Sequence, residues 1–474
     1  MYLSSTKILV SLAESHYCTV KLLSNHKIRI PQKSTPAPMR GQEAGSRQGT
    51  VDSEKIICYC DNRRTIISMK ITTLEPAVHP GGMTRSQMAR MVLILGALTA
   101  FSSMSIDMYL PAFPQIARDL KVPFGTVQLS ISAFLFGSAA GQLFYGPLAD
   151  RYGRRRPLLW GLALYVASTI GCASVQTGGG LLFWRVVMAV GGGAGMVISR
   201  AVVRDLYDTA EAARMFSLLM LVMGAAPILA PIAGGQLLLI TGWRGIFVFL
   251  GVFGLISIAA AAVGLPESLP AERRVRHNVA EMTAVYGHLL RNRRYLRYAI
   301  ALGCVAGVNF SYISGAPFYF IELHGVSPQH FGLFFGVNAC GLIGASQVNR
   351  RLLRRFSAQQ ILNAALSVNA VTALLLTTSG ATGIGGFPLQ AALLFICLSM
   401  TGLLYPNVTA LAMAPFDKAA GSASALLGTI QYTLGASAGA LVGMLHNGTA
   451  VPMTAAMAAC GVVGWCAVVG SGEA

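Results

Sequence analysis

From Met88 onward the chain alternates long apolar stretches with short polar ones. A helix needs about 20 residues to cross a hydrocarbon core about 30 Å thick. Stretches that meet this length recur near 89–115, 127–147, 157–176, 180–203, 213–240, 243–265, 297–321, 330–352, 358–379, 386–411, 419–445 and 451–471. The pattern predicts an all-α membrane protein of twelve spans. The longest inter-span loop, 266–296, separates two sets of six. The expected organisation is an N-terminal six-helix bundle over 83–265, a cytoplasmic central loop over 266–296 and a C-terminal six-helix bundle over 297–474. Residues 1–82 differ from the rest. They have no long apolar run, Ile8-Leu9-Val10 is too short for a signal-peptide core, and Glu14 follows it. Pro, Ser, Gly and charges scatter through 31–54, as in disordered chain. Met83-Thr84-Arg85 directly precedes the first span. The expectation is that 1–82 is a disordered extension and that natural translation starts near Met83, the upstream start being mis-assigned.

Composition excludes the common alternatives. Of 474 residues 54% are hydrophobic and 11% charged, with mean hydropathy +0.58. Soluble domains carry about 25% charged residues. A soluble enzyme and a wholly disordered chain are both ruled out. The net charge of +18 raises nucleic acid as a partner, but the basic residues beyond 82 fall in short clusters between spans rather than on one continuous face. No nucleic-acid partner is expected. The clusters instead set topology. One set of loops holds eighteen Lys and Arg, among them Arg151, Arg154, Arg155, Arg156, Arg350, Arg351, Arg354 and Arg355; the opposite loops hold Arg118, Lys121 and Arg244. The positive-inside rule places the basic set, and with it both termini, in the cytoplasm.

Metal and nucleotide chemistry find no support. The nine cysteines show no disulfide framework, Cys58-Tyr59-Cys60 lacks a second ligand pair, and the eight histidines have no metal spacing. Gly191-Gly192-Gly193-Ala194-Gly195 lies within a span and lacks the Lys-Ser/Thr of a phosphate loop. No cofactor is expected; energy would come from a proton gradient.

Asp107 is the only carboxylate well inside a predicted span, with Asp150, Asp205 and Glu322 at span ends. An ionisable group within a membrane is a functional candidate by default, and Asp107 is the candidate proton carrier. Arg185, on the fourth span, is expected at a similar depth as its partner, tuning its charge. Asn309, Asn338 and Gln431 are polar positions within spans, and Tyr109, Tyr312 and Tyr432 could supply aromatic walls. Tyr109, Asn309, Tyr312, Asn338 and Gln431 form the candidate substrate cavity. Asn349-Arg350-Arg351-Leu352-Leu353-Arg354-Arg355 repeats the arginine spacing of Asp150-Arg151-Tyr152-Gly153-Arg154-Arg155-Arg156 after 199 residues. Parallel halves of this kind place a binding site near the midplane at their junction. In the loop Gly146–Arg156, Asp150 can pair with arginines, and Gly146 and Gly153 permit a tight turn. Such contacts would latch the cytoplasmic side; the alternative is a plain topology anchor. Pro227 and Pro231, followed by Gly234 and Gly235, predict either a bent, tightly packed seal or an ordinary kink.

Gly146-Pro147-Leu148-Ala149-Asp150-Arg151-Tyr152-Gly153-Arg154-Arg155-Arg156 resembles the cytoplasmic loop signature of the major facilitator superfamily. Ser105-Ile106-Asp107-Met108-Tyr109-Leu110-Pro111 resembles the first span of its bicyclomycin/chloramphenicol-resistance subfamily of drug/proton antiporters. Arg185 matches the family's fourth-span arginine, and Pro227–Gly235 is similar to the fifth-span antiporter signature with Ala230 in place of its first glycine. Ala420–Ala425 is similar to the eleventh span. The resemblance implies two six-helix bundles, alternating access, and export of amphipathic antibiotics, such as bicyclomycin or chloramphenicol-like compounds, in exchange for protons. It implies a multi-pass monomer in the inner membrane, a secondary transporter rather than an enzyme. Met188 and Ala189 depart from the polar residue and glycine usual after the arginine. An exporter of an endogenous metabolite, such as an amino acid, is the alternative. A membrane sensor would need a signalling domain, which neither the extension nor the central loop resembles. A membrane enzyme would need a cluster of base, nucleophile and metal ligands.

Overall fold

Apolar segments of this length satisfy their backbone amides internally by forming helices. A computed structural model describes residues 56–60, 63–67, 85–274, 286–416 and 420–469. The proposed start at Met83, most of the extension, the middle of the central loop and Lys418 lie outside the described residues. Within the extension, the strand Ile56–Cys60 pairs antiparallel with Arg63–Ile67, Ile56 opposite Ile67 and Cys60 opposite Arg63. β-Branched Ile56 and Ile57 on one strand and Thr65, Ile66 and Ile67 on the other favour this pairing locally.

The remaining described chain is helical. The first span runs Arg85–Asp107, breaks through a 3-10 turn at Leu110–Ala112, and continues as Phe113–Leu120. Spans two to four are Phe124–Tyr152, Arg155–Ser174 and Gly178–Leu206. Thr209–Gly264 is one helical stretch of 56 residues, about 84 Å at 1.5 Å per residue and far longer than a bilayer core. It turns at Gly242, whose φ of +66° favours a residue without Cβ, and so forms spans five and six. Trp243 Nε1 donates to Asp119 at 2.8 Å and Arg244 Nη2 to the Val175 carbonyl at 3.2 Å, fastening this turn to the ends of spans one and three. Spans seven to twelve are Arg293–Pro317, extended by a π-helical turn Phe318–Leu323, then Pro328–Leu352, Ala358–Thr382, Gly386–Met413, Ala420–Met444 and Val451–Val468. The twelve spans expected from hydropathy are thus all helical.

The helices pack as two bundles. In the first, span four lies against spans two and three, and the stretch carrying spans five and six against spans one and three. In the second, span seven lies against spans ten, eleven and twelve, and span ten against spans eight and nine. The bundles meet where span two packs on span eleven and span five on span eight. Large apolar side chains such as Leu93, Ile240 and Val263 remain exposed on the outside, a surface suited to lipid rather than water.

Glycines set how closely the spans approach. A Cβ at Gly125 would lie 2.2 Å from the Gly443 carbonyl, bringing span two onto span eleven at the end opposite the arginine-rich loops. A Cβ at Gly234 would lie 1.7 Å from the Met108 carbonyl, where span one breaks. Gly234→Ala is therefore expected to destabilise the protein by about 1–3 kcal/mol through overpacking. Gly179→Ala, with open space around it, should stay within about 0.5 kcal/mol of the parent. Thermal unfolding in detergent checks the pair; equal stability of the two variants would contradict the close approach.

Candidate functional site

Span one cannot continue as a regular helix through Pro111, and its break begins directly after Asp107. This places a carboxyl at the end of a helical segment, with 4% of its surface exposed, against a cavity of about 230 Å³. Both bundles contribute to the wall: Ser102 and Asp107 from span one, Pro227 from span five, Asn309 and Tyr312 from span seven, Asn338 from span eight and Tyr432 from span eleven. Asn338 Nδ2 donates to the Tyr312 hydroxyl at 2.9 Å and to the Phe334 carbonyl at 3.3 Å. The Tyr312 ring stacks on Phe335, centroids 5.4 Å apart. An apolar, aromatic wall with two amides and one carboxyl suits a small amphipathic molecule. A larger groove of about 650 Å³ opens between spans five, eight and ten, but it is lined by apolar side chains and small residues, with no carboxyl or base among the described residues.

Of the five residues expected to line the cavity, Asn309, Tyr312 and Asn338 do so. Tyr109 does not: it is fully buried inside the first bundle, with its hydroxyl 2.5 Å from Ser130 Oγ. Gln431 is half-buried and off the wall, while its neighbour Tyr432 faces the cavity. One residue along a helix is a turn of about 100°, so hydropathy that locates a span does not fix which of two adjacent polar residues faces inward. Met223, Leu398 and Ile343 also line the wall. No sequence signal separates these from the many other apolar residues of the spans.

The expected pairing of Asp107 with Arg185 does not form. Arg185 is fully buried, and Nη1 donates to the Ser105 carbonyl at 2.8 Å, with Met188 Sδ at 3.6 Å. Its guanidinium lies over the Tyr109 ring at 4.3 Å and the Phe134 ring at 4.4 Å. The helix explains the separation. Ser105 and Tyr109 are four residues apart and share one face, while Asp107, two residues from each, points about 200° away. Arg185 therefore binds the bundle-facing side of span one and Asp107 the junction-facing side. Cation–π contact with two rings takes the place of a carboxylate partner. No ion pair to Asp107 occurs among the described residues.

At the arginine-rich end the motif loop is tied into the first bundle. Arg154 Nη1 meets Asp150 Oδ1 at 2.5 Å, and Arg154 Nε meets Asp205 Oδ2 at 2.8 Å. Ser268 Oγ donates to the same Asp205 oxygen at 3.0 Å. Glu267 accepts from the backbone N–H groups of Arg154 at 2.7 Å and Arg155 at 3.2 Å. The Arg155 guanidinium also donates to the Ala262 carbonyl. Burial pulls the Arg154 guanidinium down, but hydrogen bonds and charge from Asp205 and Asp150 hold it above its ordinary value. Gly153 makes the turn with φ +88°, and a Cβ there would lie 2.5 Å from Glu267 Oε2. Arg151 is exposed, its guanidinium 5.2 Å from the Tyr152 ring. Gly146, expected at a turn, instead lies within the helix of span two with open space where a Cβ would stand, so the turn rests on Gly153 alone. Sequence reading missed Asp205 and Glu267 as members of this network. The available signal was two carboxylates level with the arginines, at the ends of spans four and six. In the second bundle the corresponding position is neutral: Asn407 Nδ2 donates to Asn349 Oδ1 at 2.7 Å.

The fifth-span motif joins three elements. Pro227 lines the cavity, and Pro231 lies one turn further along the same helix. Gly234 abuts the Met108 carbonyl, next to Asp107, and a Cβ at Gly235 would lie 2.7 Å from the Pro328 carbonyl at the start of span eight. The two glycines let span five touch the break of span one and the opposite bundle at once.

The Major Facilitator Superfamily profile matches residues 95–440. An uncharacterised MFS-type transporter of Bacillus subtilis, YdgK, is 37% identical over 391 residues, covering 81% of this chain and 95% of that protein. A bicyclomycin resistance protein homologue of Haemophilus influenzae is 30% identical, over 78% of this chain and 93% of that one. A chloramphenicol resistance protein of Pseudomonas aeruginosa is 31% identical, over 78% and 87%. The solved structure of the xylose transporter XylE from E. coli superposes with a TM-score of 0.62 at 13% identity, over 81% of this chain and 97% of that one; the likeness is one of fold.

Two outcomes are expected from the geometry. Asp205→Asn should destabilise the protein by about 1–3 kcal/mol, because the partly buried Arg154 loses a charged acceptor. Arg185→Lys should also lower thermal stability, since an ammonium cannot span two ring faces and the Ser105 carbonyl with the same planar fork. Unfolding midpoints in detergent test both; an Arg185→Lys midpoint equal to the parent's would contradict the bundle-holding placement.

Proposed function

The chain belongs to the Major Facilitator Superfamily, within its bicyclomycin/chloramphenicol-resistance group, and on that footing we propose that it is a proton-coupled efflux transporter of amphipathic antibiotics such as bicyclomycin or chloramphenicol-like compounds. The single observation that carries the reading is the cavity at the junction of the bundles, with Asp107 the only carboxyl on its wall among the described residues. A charge in a low-dielectric membrane interior is costly, and hydration changes that cost. Rocking of the bundles alternately encloses and wets Asp107, so proton gain and loss follow the conformational cycle. A substrate occupying the same small cavity competes with the proton for this carboxyl. Asn309, Tyr312 and Asn338 orient polar groups of the substrate, and Phe335 and Tyr432 pack its apolar face. Arg185 acts at one remove, holding span one in place through Ser105 and Tyr109.

The arginine-rich loops face the cytoplasm of a bacterial inner membrane, with both termini on that side, and the protein works as a monomer in the bilayer. The ion-paired loop at Asp150, Arg154 and Asp205 keeps the cytoplasmic ends of spans two, three and four moving as one body. Energy comes from the proton gradient without a bound cofactor. One proton per cycle supplies about 2.3 kcal/mol per 100 mV, enough for a roughly forty-fold gradient of a neutral substrate.

Everted vesicles with an imposed pH gradient, assayed against a panel of amphipathic antibiotics, test the proposal. The parent protein is expected to accumulate at least one of them in response to the gradient. Asp107→Asn should abolish gradient-driven accumulation while the protein remains in the membrane at parental amounts. Full gradient-driven transport by that variant would overturn the role of Asp107. Gradient-driven export of an amino acid, with no response to any antibiotic, would replace the substrate class.

A further inference from the structure

Besides the buried Arg185, span four carries an exposed arginine, Arg200, about 9 Å before the helix ends at Leu206. Its neighbours fix the face on which it stands. Ala189, Gly193 and Met196 line a narrow cleft together with Ser102 of span one and Tyr432 of span eleven. At about 100° per residue, Arg200 falls within about 40° of each of the three. The Tyr432 hydroxyl donates to Met196 Sδ at 3.8 Å, and the Arg200 charge acts on the same hydroxyl. Ser102 and Tyr432 also line the Asp107 cavity. Arg200 therefore stands on the junction-facing strip of span four, one turn beyond Met196 towards the arginine-rich end.

The groups around this approach can all donate hydrogen bonds. Tyr405 of span ten lies beside Asn309 and Tyr432, so two phenols and an amide stand between the guanidinium and the cavity. The carboxylates are engaged elsewhere. Asp150 and Asp205 both pair with Arg154. Asp107 lies about 7.5 Å along span one from Ser102, on the side away from Arg200. No ion pair to Arg200 occurs among the described residues. Arg204, exposed one turn further along span four, adds a second positive charge at the same end, and a cleft lined by one sign of charge concentrates the opposite sign.

An arginine that only anchored topology would serve equally well on the lipid-facing side of the bundle; this one stands where the two bundles face each other. Its planar fork binds carboxylate or phosphate oxygens through two parallel bonds. We propose that Arg200 selects cargo by charge: it binds the oxyanion of an amphipathic substrate whose apolar body lies in the Asp107 cavity, and it disfavours cations. The inference rests on the transport reading above and adds to its substrate class amphipaths that carry a carboxylate or a similar oxyanion at one end. The backbones of Asp107 and Arg200 stand about 13 Å apart along the bundle, so the oxyanion lies at the end of the substrate remote from the acid.

The test compares chloramphenicol with its succinate ester, the same body carrying a carboxylate, in everted vesicles with an imposed pH gradient. The KM of the ester relative to that of chloramphenicol should rise by on the order of tenfold in Arg200→Gln. Arg200→Lys, which keeps the charge, should hold the ratio near the parental value. An unchanged ratio in Arg200→Gln, or an equal rise in both variants, would overturn charge selection. A second readout needs no substrate. Met196→Cys is labelled in the same vesicles, above the baseline of the parent chain, with an anionic sulfonate and a cationic trimethylammonium methanethiosulfonate. Adding Arg200→Gln should lower the ratio of anionic to cationic labelling rates by on the order of tenfold. An unchanged ratio, or a cysteine inert to both reagents, would also overturn the proposal. Labelling that depends on Arg200, without gradient-driven transport of either compound or of any other antibiotic, would overturn the antibiotic reading alone. Gradient-driven transport with labelling indifferent to Arg200 would overturn charge selection alone.

Discussion

A carboxyl within a helical membrane bundle must be solvated by water or by polar groups, or carry a proton, because lipid offers it nothing. Asp107 meets this constraint where span one stops being a regular helix and where the two bundles face each other across a small cavity. The surrounding packing serves that placement. Pro111 forces the break, Gly234 lets span five press against the Met108 carbonyl, and Gly235 carries the contact through to span eight. Larger side chains at these glycines would push the fifth span away from both neighbours and open the cavity to lipid.

Span one divides two polar tasks between its faces. On one face Ser105 and Tyr109 receive Arg185 and lock spans one, two and four into a single body. On the other, Asp107 meets a wall drawn largely from the second bundle. A direct Asp107–Arg185 ion pair would have tied the acid to one bundle. Separating them by about 200° around the helix places the carboxyl on the junction-facing side.

The two ends of the molecule are held by different forces. The arginine-rich end uses ion pairs within the first bundle, around Arg154, Asp150 and Asp205, and an amide pair, Asn349 with Asn407, within the second. The opposite end uses close backbone approach across the junction, at Gly125 with Gly443, together with the Gln128–Ser314 bonds. Short-range packing of that kind either holds or releases as a unit, whereas ion pairs inside a bundle travel with it. Ion pairs therefore hold the first bundle together at one end, while glycine contacts hold the two bundles against each other at the other.

The sequence alone determined the number of spans, their division into two sets of six and the identity of the buried acid, because each depends on local hydropathy and charge that tertiary contacts do not change. Motif spacing at Gly146–Arg155 and Pro227–Gly235 also located the two tightly packed segments. Tertiary structure decided what hydropathy cannot encode: the face on which each polar residue of a span stands. It moved Tyr109 into the bundle, Gln431 off the cavity and Tyr432 onto it, and it set Arg185 against ring faces rather than Asp107. It also supplied Asp205 and Glu267 as partners of the motif arginines across more than fifty residues of chain. Within an almost wholly apolar span the side-chain period carries too little contrast to fix rotation. Rotation is settled by glycine contacts and interhelical hydrogen bonds that exist only once the helices have met.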